Sequence, residues 1–169
     1  MTEEIKKNAG ITQNLQFLFG QLEETRGRLL NLLSKIPEEI IDKTPDDKSI
    51  ESIATLLDHI AAVEWSWIFE DIDGEKMGEE WKYAFALRSW SEVKQRTGKS
   101  LSFYLDQLNK VRKQIITRIT KMNQDDRERI VGQEKQKYTI EWILYHLNHH
   151  EAQHHGQISI LNRLFNENS

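Results

Sequence analysis

From residue 11 onward, apolar side chains return at every third or fourth position, which is the period of an amphipathic helix. Leu15, Leu18, Leu22, Leu29 and Leu33 mark one such stripe and predict a first helix from about Ile11 to Ile36. Pro37 closes it, because the residue before a proline avoids helical backbone angles. A short loop follows through Pro45, Asp46, Asp47 and Lys48. Ser49 then reads as an N-cap, with Glu51 and Ser52 in the first turn. The second helix continues through Ile53, Leu57, Ile60 and Glu64 to about Phe69.

The stretch 71–99 breaks the pattern. Asp73-Gly74-Glu75-Lys76-Met77-Gly78 is loop chemistry, yet Trp81, Tyr83, Phe85, Leu87 and Trp90 are too apolar for a solvated linker. A loop with a short helix, packed over one end of the helices, fits both facts. Such excursions are often binding elements, and this one could equally be a simple cover for apolar surface. A third helix runs from Ser100 to about Met122 on Leu101, Leu105, Leu108, Val111, Ile115 and Ile119. Residues 123–137 are polar and suit a short hairpin or an irregular loop. Thr139 is the expected N-cap of a fourth helix that ends near Phe165. Four long amphipathic segments without a strong strand signal predict an all-α four-helix bundle, with a long connection between the second and third helices.

Composition narrows the class. A chain of 169 residues fits one domain, 1–169, and can bury a core without covalent staples. There is no cysteine, so disulfides and thiolate metal sites are excluded. The net charge is −4, with acids and bases interspersed. Nucleic acid is therefore not an expected partner, since phosphate binding wants a basic stripe. No apolar run approaches the roughly 20 residues of a membrane span, and the first residues lack the apolar core of a signal peptide. The expectation is a cytoplasmic protein with no membrane partner.

Histidine placement carries the chemistry. Of six histidines, His59 lies in the second helix and His146, His149, His150, His154 and His155 crowd the fourth. At about 100° per residue, His150 and His154 fall inside the apolar stripe of Ile140, Ile143, Leu147, Ile158, Leu161 and Phe165. His146 lies at its edge with Gln157, His149 points to the opposite side, and His155 lies on the other flank. Two histidines four apart on a core face stack one above the other and form a bidentate metal platform. As core residues each would need its own buried hydrogen-bond partner. Catalytic zinc-like sites take three protein ligands and leave one position open. The third ligand should come from a neighbouring helix, where His59 and Glu64 compete. Glu64 could also be an inter-helix ion pair with Arg26 or Arg28. Protons compete with a metal for imidazole nitrogens, so affinity is expected to fall on acidification through the histidine range.

The segment from Tyr138 to Ile158 resembles the last helix of DinB-like proteins, in the DinB/YfiT-like superfamily of metalloenzymes. His150, Glu151, His154, Gly156 and Gln157 match a His-Glu-x-x-His-x-Gly-Gln pattern, and His146 matches a histidine one turn earlier. Ser49-Ile50 with Ile53, and Leu57-Asp58-His59-Ile60 followed by Glu64, resemble the family's second motif. Gln153 and His155 depart from it, standing where members often have His and Arg, but neither projects as a ligand.

The resemblance implies a DinB-like up-down-down-up arrangement, often as a homodimer. It also implies a divalent metal, zinc or nickel, held by His59, His150 and His154, and so favours His59 over Glu64. Glu64 and Gln157 are then candidates to orient the bound nucleophile from outside the ligand set. Known relatives include transferases that use a low-molecular-weight thiol as cofactor. A thiol S-transferase or a hydrolase acting on a small-molecule substrate is the expected function. The alternative is a non-catalytic metal-binding bundle acting through dimerisation or partner binding in a stress or damage response, with His146 as the spare ligand that would close the metal's coordination. An excess of aromatics, notably Trp81, Trp90 and Phe103, is read as consistent with a dimer.

Overall fold

The computed structural model describes residues 13–46, 50–82, 84, 97–133 and 136–166. The long helices are α1 (Gln13–Leu33), α2 (Ile53–Trp65), α4 (Leu101–Ile119) and α6 (Ile140–Phe165). Between them lie the short helices α3 (Glu79–Lys82) and α5 (Gln124–Glu128), and the strands β1 (Ile130–Gln133) and β2 (Gln136–Thr139). The architecture is mostly helical, with one small antiparallel sheet. That hairpin is one of the two forms expected for the polar stretch 123–137, and it adds a small sheet to the predicted all-α architecture. Ile130, Val131, Tyr138 and Thr139 are β-branched or aromatic and favour the ladder, in which Ile130 faces Thr139 and Val131 faces Tyr138. Four alternating residues in a polar stretch are too short a signal to override the helical pattern around them.

Helix starts follow capping chemistry. Thr139 acts as an N-cap as expected, accepting from the Trp142 amide at 3.2 Å, and Ser100, the expected start of the third helix, caps α4 by accepting from the Phe103 amide at 3.3 Å. At α2 the cap is Ser52 rather than Ser49. The Ser52 hydroxyl accepts from the Thr55 amide at 3.2 Å and is fully buried, while Ser49 lies outside the described residues. The Ser52 hydroxyl thus satisfies a donor that the first turn would otherwise leave unpaired in the interior. At its other end α2 runs directly into a π-helical turn, Ser66–Glu70, which carries Trp67.

Twelve of the thirteen residues of α2 are buried, so this helix is central. It packs against α4 and α6, and α6 also packs against α1. Leu15, Phe19, Leu22, Leu29 and Leu33 of α1 meet Leu108, Val111 and Ile115 of α4 and Ile143, Leu147 and Ile158 of α6 in one apolar core. Trp81 is part of it, and Phe103, half-buried, packs against it. Trp90 lies outside the described residues.

The core also encloses a network of four charged side chains to which each long helix contributes one. Arg26 of α1 donates to Glu64 of α2 at 3.0 Å and to Glu151 of α6 at 2.5 Å. Arg112 of α4 donates to Glu64 at 2.7 Å and to Glu151 at 2.9 Å. Arg26 further donates to the Leu108 carbonyl and Arg112 to the Leu22 carbonyl and Glu23. All four are at most 4% exposed. Burial alone would raise the Glu64 carboxyl, but the Arg112 and Arg26 guanidinium groups hold it below the ordinary carboxylate value.

Removing one member leaves the remaining buried charges unbalanced in the interior. Arg112→Leu should therefore lower unfolding stability by about 3–5 kcal/mol. Arg28→Leu, which removes an exposed pair with Glu24, should stay within about 0.5 kcal/mol. Urea unfolding of the two variants checks the contrast.

Candidate metal centre

His59 of α2 and His150 and His154 of α6 come together at the α2–α6 contact. Their three Nε2 atoms face one another: His150 Nε2 lies 3.1 Å from His59 Nε2 and 3.1 Å from His154 Nε2. The ligand atoms all fall within 4.8 Å of one another. The ring pairs are tilted or edge-on, at 52° and 85° from His59 and 78° between His150 and His154, so the nitrogens point inward rather than the faces stacking.

The outer nitrogens of two rings are already engaged. His59 Nδ1–H donates to the Ala84 carbonyl at 2.8 Å, and His154 Nδ1–H donates to Gln157 Oε1 at 2.6 Å. A proton fixed on Nδ1 leaves Nε2 as a bare lone pair. Such outward hydrogen bonds are what metal-binding histidines usually make. Burial keeps the rings neutral. It lowers His59 to about 4, despite the Ala84 bond, which acts in the opposite direction. It lowers His150 to about 2, helped by the neighbouring histidines, and His154 is lowered as well. Neutral imidazoles whose lone pairs meet at one point repel one another unless a cation or proton lies between them. The donor set therefore fits a divalent metal.

The other candidates fall as follows. Gln157 is in place to orient His154. Glu64 is not turned to the cluster, because both its oxygens accept from Arg26 and Arg112. With Ile60, Leu147, His150 and Glu151 it lines a gap too narrow for a water molecule. His149 is exposed and stacks on Tyr145. His146 is not among the converging ligands; its ring lies 6.1 Å from that of His150. Of the 81–90 loop, Trp81 and Ala84 are buried, and most of the remainder lies outside the described residues.

Sequence reasoning named Arg26 as a candidate partner of Glu64, and missed Arg112 of α4 as its second partner and Glu151 of α6 as the other carboxylate of the network. Arg112 interrupts the apolar row of Leu108, Val111 and Ile115, and Arg26 that of Leu22 and Leu29. A charge at a core position was a usable signal for both. The Ala84 carbonyl had none, being main chain of a loop.

A family model described as the DinB superfamily matches residues 21–158. Among solved structures, an uncharacterised protein from Escherichia coli UTI89 superposes with a TM-score of 0.62 at 17% identity, covering 96% of this chain and 99% of that one. This likeness concerns the fold. No curated protein matches the chain.

The cluster makes its pH behaviour testable. Unfolded histidines take up protons below about pH 6.5, whereas His59 in the fold does so only near 4. The stability that these neutral rings contribute is thus complete above about 6.5 and lost as pH falls through that value toward 4. Urea midpoints of the metal-free protein should decline over this window. Zinc affinity, by contrast, should change little between about pH 8 and 6, because burial displaces the competing protonation downward from the ordinary histidine range. A decline centred on 6.5 in a competitive chelator titration would mean solvated imidazoles.

Proposed function

The chain belongs to the DinB superfamily, and from that premise we propose that it is a metal-dependent enzyme that transfers a small thiol to an electrophilic small molecule. His59, His150 and His154 are the ligands in this reading, and zinc or nickel is the metal. The carrying observation is that three neutral Nε2 atoms meet while His146 stays outside their group. That leaves a coordination position for an outside ligand, as catalytic sites need and structural ones lack.

When bound there, a divalent cation would keep its charge uncancelled and lower the pKa of a thiol beside it, favouring the nucleophilic thiolate near neutral pH. The chain's own part is orientation. Ala84 and Gln157 hold two imidazoles in the metal-binding tautomer. Glu64, expected to orient the nucleophile, is committed to Arg26 and Arg112 instead.

Thiol transfer is favoured over hydrolysis by Glu151. The segment His150-Glu151-Ala152-Gln153-His154 spells the pattern in which metalloproteases use the glutamate as general base. Here Glu151 is 2% exposed and bound to two arginines. A carboxylate so paired is a poor base for water.

The same reading takes residues 1–169 as one DinB-like four-helix domain in the up-down-down-up arrangement, supported by α1 lying against α6 and α2 lying between α4 and α6. A cytoplasmic homodimer completes it. No helix among the described residues is long and apolar enough to cross a membrane. Tyr145, Ile160 and Leu164 leave α6 with exposed apolar side chains suited to a second copy, and sedimentation as a monomer at micromolar concentration would remove the dimer.

Two measurements bear on the central reading. His59→Ala, His150→Ala and His154→Ala should each lose most bound metal by elemental analysis, and His149→Ala should keep it. Full retention in the His154 variant would sink the ligand assignment. The metal-loaded protein should also accelerate transfer of a thiol to an epoxide or aryl halide, stop on chelation and recover with added zinc or nickel. Silence across a broad thiol panel would drop the transferase and bring ester and amide hydrolysis forward. Silence there too would favour a non-catalytic metal-binding bundle.

A further inference from the structure

Beside the cluster stands a run of stacked rings. Tyr138 lies on Trp142 with centroids 4.2 Å apart and planes 22° apart, and Trp142 lies on His146 at 4.9 Å and 6°. Trp67, on the π-helical turn, meets Tyr138, Trp142 and His146 edge-on at 5.1, 5.6 and 5.0 Å. None of these contacts is needed to form the three-histidine cluster.

The spacing of His146 makes its position informative. It precedes His150 by four residues, as His150 precedes His154. Residues four apart on a helix sit one above the other, so His146 is the next member of the same row. Yet the His150 and His154 rings lie 4.4 Å apart and those of His146 and His150 lie 6.1 Å apart, and only the first pair joins the convergent set. What distinguishes His146 is its company. Its face lies flat on Trp142, and Trp67 meets it from a second side. Turning the imidazole toward His150 would break both contacts.

We propose that Trp142 and Trp67 clamp the His146 imidazole outside the three-histidine cluster and thereby keep a metal ion there open to an outside ligand. Trp142 and Trp67 are positioning residues in this account. Released from them, His146 supplies a fourth nitrogen by side-chain rotation, and a site closed by four protein ligands is of the structural kind. The inference rests on the metal-site reading above.

The test uses the full chain loaded with cobalt(II), whose visible bands report coordination, titrated with 2-mercaptoethanol. The wild type should bind one cobalt and its bands should shift with thiol. Trp142→Ala should keep cobalt but lose the thiol response. Trp142→Phe, which preserves a stacking ring, should restore it, and so should Trp142→Ala combined with His146→Ala. A normal thiol response in Trp142→Ala overturns the clamp, as does a loss that removing His146 fails to reverse. His146→Ala alone should match the wild type in stoichiometry and bands, and a changed spectrum there would make His146 a resident ligand and end the proposal even if Trp142→Ala does not fold. A wild type that binds no cobalt overturns the metal reading and the clamp with it, whereas cobalt binding with an unaltered Trp142→Ala response removes the clamp alone.

Discussion

Four buried charges set the geometry on which everything else rests. Arg26, Glu64, Arg112 and Glu151 each come from a different long helix and meet where water is excluded. Taking an ion out of water costs several kcal/mol, recovered only when its partners are correctly placed. A helix turned by one residue would carry its charge about 100° away from them. The rotation of all four helices is therefore fixed far more tightly than apolar packing alone requires. Glu151 adjoins His150 in the chain, and Glu64 follows His59 by five residues on α2. The contacts that fix these carboxylates also aim the histidines.

This arrangement divides the labour between charged and neutral groups. Both glutamates nearest the cluster are held by guanidinium groups, so the ligand point is furnished by uncharged nitrogens. A cation bound among neutral ligands retains the charge with which it can polarise an outside molecule. A carboxylate ligand would cancel part of that charge. The buried network thus withholds Glu64 and Glu151 from the three-histidine cluster while holding its imidazoles in place.

Much of this was legible in the sequence, for physical reasons that differ by element. The long helices announce themselves through repeated Leu and Ile at helical spacing, α4 begins where expected, and α6 begins at the expected cap. The platform of His150 and His154 follows from a spacing of four on a core face. The choice of His59 over Glu64 did not follow from periodicity, because both lie on buried sides of a helix that is buried nearly all round. It came from the family resemblance; in the structure Glu64 is engaged by Arg26 and Arg112, and His59 lies in the three-histidine cluster. The cap of α2 is Ser52, the residue just before the first helical residue Ile53, rather than the expected Ser49. The short hairpin β1–β2 was legible only as one of two options for a polar stretch, and the Ala84 carbonyl belongs to backbone that carries no side-chain signature.

The central claim is that three imidazoles hold a metal with one position left for an outside ligand. X-ray absorption at the metal edge of the zinc-loaded protein tests it most directly. The account predicts three imidazole nitrogens and one non-protein light atom, the latter replaced by sulfur when a small thiol is added. Four imidazoles, or a nitrogen-poor shell rich in carboxylate oxygen, would contradict it.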